Sequence, residues 1–252
     1  MSESRLSEIA EGVHLVEGSS TNWVILTEGD GVTLIDSGYP GDRDLLLSSL
    51  ATLGHSPESV VALLVTHAHT DHIGSAQYLS STYGTPVLLH EAEVPHAQRH
   101  FLEQIGAIGV LRNSWRPGVV PWAFHAMRAG GLADARVTDP SAIAELGVPL
   151  DLPGNPIALH TPGHTRGHCV YALPKAGILV SGDALVSGHP TSRVAGPQLL
   201  PVMFDASRAA AIASLDVIED FDGNVLLPGH GPAHHGSVPE AAARARLLVA
   251  EA

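Results

Sequence analysis

The chain has 252 residues, 44% of them hydrophobic and 15% charged, enough to bury one full core at the upper end of single-domain sizes. Its 26 acidic against 13 basic residues give a formal charge of -13, which argues against a surface that tracks nucleic acid or anionic lipid. The single cysteine, Cys169, excludes an internal disulfide and a cysteine-ligated zinc cluster.

The opening residues, Met1-Ser-Glu-Ser-Arg-Leu-Ser-Glu-Ile9, have no apolar run behind a basic flank, and no run of about eighteen apolar residues follows. A cytoplasmic protein without membrane or nucleic-acid partners is the default expectation. Short strands come first: Gly12–Val16, Asn22–Thr27 and Val32–Asp36, the last two separated by the turn residues Glu28-Gly-Asp-Gly31, which together read as a β-meander. Asp42–Leu53 reads as a helix stopped at Gly54. Val60–Val65 is a continuous apolar run of the kind found in strands buried on both faces. That strand runs directly into Thr66-His-Ala-His-Thr-Asp-His72.

Residues 72–83 read as a second helix and Pro86–His90 as a strand. Between about residues 91 and 150 the pattern changes, with scattered Gly and Pro and a concentration of aromatics, Phe101, Trp115, Trp122 and Phe124, in a chain only 4% aromatic. This stretch reads as a helical insertion that either packs on the core or forms a substrate lid, and it could also carry a homo-oligomer contact. Beyond it, strands are expected at Ile157–His160, His168–Leu173, Gly177–Ser181 and Asn224–Leu227, and alanine-rich helices at Ser207–Asp220 and from Val238 onward. Strands and helices without strict alternation favour two packed sheets covered by helices in one domain, residues 1–252.

Histidine, at 16 residues, is the compositional outlier. His67 and His69 are two apart at the end of an extended segment, so they point the same way and suit one ion, while Asp71 and His72 follow where the chain reverses and suit a second. Four ligand-type side chains within six residues are hard to explain as a polar turn. Further candidates sit just after strands and beside glycine: His164 in Thr161-Pro-Gly-His164, Asp183 in Gly182-Asp183, and His230 in Pro228-Gly-His230.

These segments, in this order, resemble the metallo-β-lactamase superfamily. The resemblance implies an α+β fold, the four-layer αββα sandwich, with metals at one edge where loops from both halves meet. It implies that His67, His69 and His164 hold a first ion, that Asp71, His72 and His230 hold a second, and that Asp183 bridges them. Asp36 resembles the aspartate that steadies the ligand loop, with simple turn capping as the alternative. His168, four residues after His164, reads as a supporting or structural residue rather than a ligand. His14, His55, His90, His96, His100, His125, His160, His189, His234 and His235 have no motif context and are read as ordinary residues.

Two adjacent cations lower the pKa of a shared water from about 15.7 toward neutrality, so the expected nucleophile is a metal-bridging hydroxide, with Asp71 orienting it or shuttling the proton. Zinc fits the imidazole and carboxylate donors, and the same set accepts iron or manganese. The chain resembles the branch of hydroxyacylglutathione hydrolases and acyl-homoserine lactonases. It departs from both: Val186 stands where the lactonases carry a tyrosine after the aspartate, and the C-terminus is too short for the thioesterases' glutathione-binding helices. Asp183 counts against a typical β-lactamase.

The insertion carries Arg99, Arg112, Arg116, Arg128 and Arg136 with few acids, which suits either an anionic group or a solvated helix face. The expected substrate is a small ester, thioester or lactone whose apolar part meets Trp115, Trp122 and Phe124 and whose anionic part meets Arg112 and Arg116. Three other classes compete. A phosphodiesterase or nuclease would use the same metals but needs a basic tract. A mononuclear iron sulfur dioxygenase would leave the second ligand set unused. The third is a non-catalytic metal protein.

Overall fold

The structure is a computed structural model that describes residues 5–250; Met1–Ser4, on which part of the leader reading rests, and Glu251–Ala252 lie outside it. The first sheet has seven strands in sequence order: β1 (Arg5–Ala10), β2 (Val13–Glu17), β3 (Asn22–Glu28), β4 (Gly31–Ile35), β5 (Val60–Leu64), β6 (Val87–Leu89) and β7 (Pro140–Ala142). β1 to β4 form the antiparallel meander, and β4 to β7 run parallel. The second sheet holds β8 (Ile157–His160), β9 (Cys169–Leu173), β10 (Ile178–Gly182), β11 (Val225–Pro228) and β12 (His234–His235), in the order β12-β11-β10-β9-β8.

The period of two along each strand divides the core into layers. Trp23, Ile25, Leu34 and Leu63 turn to one side of the first sheet and pack against Leu46 and Leu50 of α1 (Arg43–Thr52) and Leu79 of α2 (Ala76–Tyr83). Their sequence neighbours Val24, Leu26, Ile35 and Leu64 turn the other way and meet Tyr171, Leu173, Val180 and Leu227 of the second sheet. That sheet's outer face, with Val170, Ala172, Leu179 and Leu226, is covered by Leu215, Ile218 and the alanine stripe Ala241, Ala242 and Ala245. The result is the helix–sheet–sheet–helix sandwich. Burial of both faces of the sheet explains why β5 reads as a continuous apolar run rather than an alternating one. Among the described residues no helix is long and apolar enough to cross a membrane.

Several boundaries differ from the sequence reading. β1 is an edge strand of six residues, β12 an edge strand of two, and β7 is three residues long and includes Pro140, a composition that carries little strand signal. From Pro140 on, the stretch read as insertion belongs to the body of the fold, because β7 extends the first sheet and Ile143 joins the inter-sheet core. The helical part is α3 (Val94–Ala97), α4 (Ala107–Asn113) and α5 (Val119–Arg128). The helix expected over Ser207–Asp220 is two: α6 (Arg208–Ala213), capped by the Ser207 hydroxyl, and α7 (Leu215–Glu219). At the joint, Ser214 donates its hydroxyl to the Pro162 carbonyl at 2.6 Å, tying the break to the loop that carries His164. α8 (Val238–Ala250) closes the chain.

The helix expected from residue 72 begins only at Ala76. Gly74 lies backbone to backbone against Tyr39 and Pro40, and its N–H donates to the Gly38 carbonyl at 2.8 Å. A Cβ at Gly74 would collide with main-chain atoms that cannot yield. Gly74→Ala is therefore expected to cost about 3 kcal/mol or more in urea unfolding, with the midpoint lowered and the slope unchanged. A loss under about 0.5 kcal/mol, the range of ordinary surface substitutions, would contradict this packing.

Candidate metal centre and substrate pocket

The site is built where β5 of the first sheet and β8, β10 and β11 of the second end in loops. Asp36, just past β4, holds the first loop. Its backbone is left-handed (φ 64°), a conformation Asp tolerates better than most residues. Its Oδ1 accepts the Thr66 N–H at 2.8 Å, and its Oδ2 accepts the Thr66 hydroxyl at 2.8 Å and the His72 Nδ1–H at 2.8 Å. This goes well beyond turn capping. The second sheet is locked to the same loop by the Cys169 N–H on the Thr66 carbonyl and the Tyr171 hydroxyl on the Val65 carbonyl.

Partners that can only accept, or whose proton is already committed, fix the histidine tautomers. His69 donates Nε2–H to the Glu103 carbonyl at 3.1 Å, so Nδ1 turns its lone pair to the site. His230 donates Nδ1–H to the Ser20 carbonyl, and His72 donates Nδ1–H to Asp36, so both present Nε2. Thr66 gives its hydroxyl proton to Asp36 and so accepts the His67 Nδ1–H at 3.0 Å, leaving His67 Nε2 free as well. In their neutral forms these four imidazoles thus turn lone pairs toward one place, with no hydrogen to share between them.

The distances define three overlapping groups whose ligand atoms lie within 4.8 Å of one another: His67, His69 and His164; His67, His72 and Asp183; and Asp71, His72 and His230. His164 Nε2 lies 3.1 Å from His67 Nε2 and 3.0 Å from His69 Nδ1. Asp183 sits between the groups. Its Oδ2 is 3.3 Å from His164 Nε2 and 3.2 Å from His230 Nε2, and its Oδ1 is 3.5 Å from His72 Nε2. Asp71 Oδ2 is 3.5 Å from His230 Nε2.

His72 Nε2 and Asp183 Oδ1 are buried without a hydrogen-bond partner, as expected of atoms meant for a cation. The residues therefore fit a divalent metal site. Gly229 permits the close approach, since a Cβ there would strike Asp183 Oδ1 and the His72 ring. His168 is not aimed at the cluster: its Nε2 accepts the Asp183 N–H at 3.1 Å, its Nδ1 faces the Thr161 hydroxyl, and it orients Asp183 through the main chain. Burial lowers its pKa to about 3, which keeps Nε2 an acceptor.

The electrostatics have one focus. Burial disfavours charge on Asp183, yet His230, His72 and His164 hold its carboxyl well below the usual range. Burial also opposes charge on His72, but Asp183, Asp36 and Asp71 outweigh it and raise its pKa to about 10. His230 is raised by Asp183 against the same penalty, whereas burial and neighbouring imidazoles lower His67 and His69 well below normal. The cluster binds positive charge, concentrated around Asp183.

Above it opens a pocket of about 850 Å³ whose floor includes His69, Asp71, His164, Asp183 and His230. α4 faces it with Ala107, Val110, Leu111 and Ser114, and α5 with Trp122, Ala123, Ala126 and Met127, both in helical spacing. Of the residues expected on substrate, Trp122 is there. Trp115 and Phe124 are not: they are 77% and 56% exposed on the outer faces of the helical segment. Arg112 and Arg116 also lie outside the pocket: Arg112 follows Leu111 by one residue, which on a helix turns it about 100° away, and Arg116, in the turn after α4, lies over the Trp115 ring at 5.4 Å. Arg99 and Arg136 line it instead.

The sequence profile of the metallo-beta-lactamase superfamily matches residues 16–230. The chain belongs to this superfamily. Similar proteins include a metallo-beta-lactamase domain-containing protein of Xenopus laevis, 29% identical over 83% of this chain and 70% of its own. A probable metallo-hydrolase of Bacillus subtilis is 25% identical over 89% and 85%. Among solved structures, a metallo-beta-lactamase family protein of Thermus thermophilus superposes with a TM-score of 0.71 at 23% identity, over 97% of this chain and 81% of that one. This superfamily member is a metal-dependent hydrolase.

Sequence reasoning missed the support of this hydrolase's metal loop. Glu93, fully buried, accepts the Ala68 N–H at 2.8 Å and the His96 Nδ1–H at 3.0 Å on Oε2, and the Gly167 N–H at 3.0 Å on Oε1. It joins the His67–His72 loop to the His164 loop. His96 Nε2 in turn accepts the N–H of Glu103, whose carbonyl holds His69, so His96 is part of the support rather than an ordinary residue. His189, also read as ordinary, lies 5.0 Å from the His230 ring and lines the pocket. Tyr39 lies beside Asp71, and burial together with Asp71 and Asp183 keeps its phenol protonated.

Burial disfavours charge on Glu93, but its interaction with His96 and the bond from the Ala68 N–H lower its pKa from 4.5 to about 2. A depressed pKa contributes stability that is fully present above 4.5 and is lost as pH falls toward about 2. Glu93→Gln is expected to cost about 3 kcal/mol near neutrality. In urea melts the gap from the parent should narrow as the pH is lowered below 4.5. A gap that stays constant with pH would show that the charge of Glu93 is not what stabilises the loop.

Proposed function

We propose that this enzyme is a dinuclear zinc hydrolase that cleaves a small carboxyl ester, thioester or lactone. In this reading His67, His69 and His164 hold one ion, Asp71, His72 and His230 the other, and Asp183 bridges them. The observation that carries it is Asp183, whose two oxygens lie within 3.5 Å of imidazoles from both groups. Neutral imidazole and carboxylate donors without a thiolate suit zinc. Two bound ions would supply Lewis acidity and a water acidified toward neutrality, which removes the need for a serine or cysteine nucleophile.

The protein's own groups do the rest. Asp36, Thr66, Glu103 and Ser20 fix the imidazole tautomers, so that no ligand must reorient during turnover. Asp71 lies at the pocket floor with 17% of its side chain exposed and accepts the proton released by the attacking water. His189 and Trp122 exclude solvent from the side of His230. The pocket's apolar lining supports a carboxylic substrate over a nucleic-acid phosphodiester, whose flanking phosphates would need basic side chains beyond the metals.

The test is a panel of aryl esters, thioesters, lactones and bis-aryl phosphates, run with and without chelator, with metal quantified in the same sample. Cleavage of carboxyl substrates, abolished by chelator and restored by zinc, with two ions per chain, is the expected result. Asp36→Asn should weaken metal affinity about 10- to 100-fold while leaving the fold intact. Phosphodiester cleavage alone, or one ion per fully active chain, would overturn the proposal.

A further inference from the structure

The pocket says more about the substrate than the reaction does. Next to His230, three rings form a continuous wall: Trp122 and Phe204 at 5.1 Å, His189 and Phe204 at 5.1 Å, and Trp122 and His189 at 5.9 Å. This wall is anchored in its own apolar cluster with Val186, Leu200 and Ile105. From there the cavity continues as an open groove between α4 and α5, lined by Val110, Leu111, Ala126 and Met127, with Leu111 73% and Met127 48% exposed. At about 850 Å³ it is near the top of the range for ligand pockets, far larger than a short acyl group requires.

Of the two arginines that line this space, Arg99 is engaged by the metal loop and Arg136 stands at the rim with 53% of its side chain exposed. Arg99 donates Nη1 to the Ala68 and His96 carbonyls and Nη2 to Thr70 Oγ1, which makes it a brace for the metal loop. Arg136 faces Asp134 at 3.7 Å. Gln104 accepts from the Thr70 N–H and hydroxyl. Arg112 and Arg116, expected on an anion, are outside. Between α4 and α5, where the lining is Val110, Leu111, Ala126 and Met127, a charged acyl group would give up its water against apolar side chains.

We infer that the acyl half of the substrate is a hydrocarbon chain of medium length, lying on the Trp122–Phe204 wall and running on between α4 and α5. The inference rests on the hydrolase reading for its scissile bond, but the chain-binding groove stands on the cavity itself. A substrate of this class meets the metal cluster with its carbonyl while the rest of the chain leaves water for apolar side chains. Short acyl groups leave most of that surface wet.

The experiment has two arms. In the first, kcat/KM is measured for p-nitrophenyl esters from acetyl through butyryl, hexanoyl and octanoyl to decanoyl. It is expected to rise about two- to fourfold per buried methylene before levelling off. Ala126→Phe, which puts a ring into the groove, should lower the ratio of decanoyl to acetyl rates about tenfold. In the second arm, 1-decanol is titrated against the metal-free and zinc-loaded protein and followed by tryptophan quenching. Saturable quenching is expected, lost in Trp122→Phe and absent with ethanol. If no ester is cleaved but decanol still quenches Trp122, the hydrolase reading falls and the groove stands. If esters are cleaved at rates independent of acyl length and decanol does not bind, the groove assignment is overturned and the hydrolase reading stands.

Discussion

Everything around the centre follows from the cost of burying one carboxylate. Asp183 is 4% exposed, and an ion so placed persists only where positive charge and directed hydrogen bonds surround it. The fold brings His67 and His72 from the first half and His164 and His230 from the second to within 3.9 Å of its oxygens. Each of those imidazoles would by itself be an unfavourable thing to bury. Together they form a cavity of lone pairs and one negative group, a cation site before it is anything else. The same arrangement requires rigidity around it, because a ring free to flip would pair with Asp183 and consume a lone pair. Asp36, Glu93, His96 and His168 meet that requirement, none of them facing the pocket.

How much of this could be read from residue order depends on whether a function is carried by neighbours or by distant partners. The Thr66–His72 segment is dense in ligand types, and His164, Asp183 and His230 each follow a strand beside glycine, so the cluster was visible as a set of parts. The sandwich was legible because strands and helices recur in both halves without strict alternation, with the apolar run that becomes β5 marking a buried strand. Glu93 was not visible. Its three donors, Ala68, His96 and Gly167, are scattered over a hundred residues, and locally it is one acid in Glu91-Ala-Glu93. Nothing in sequence separates a buried carboxylate from a solvated one. The edge strands β1, β7 and β12 escaped because pairing at an edge needs little composition of its own.

The substrate residues show a different limit. Trp115, Phe124, Arg112 and Arg116 were chosen for residue type, yet a helix offers only one side to a pocket. The pocket is lined by Ala107, Val110, Leu111 and Ser114 and by Trp122, Ala123, Ala126 and Met127, a helical spacing that leaves Arg112 and Phe124 on other sides, while Trp115 and Arg116 sit in the turn between the two helices. Helix period outranks residue type where both are available. The expected substrate had an apolar part on Trp115, Trp122 and Phe124 and an anionic part on Arg112 and Arg116; of these residues only Trp122 lines the pocket, and the proposed substrate is accordingly held by apolar area.

The central claim is that Asp183 stands between two cations. The direct measurement is anomalous diffraction at the zinc edge from crystals of the zinc-loaded protein. The account predicts two peaks, one among His67, His69 and His164 and one among Asp71, His72 and His230, with the Asp183 carboxylate between them. A single peak, or a second one away from Asp71, His72 and His230, would contradict it.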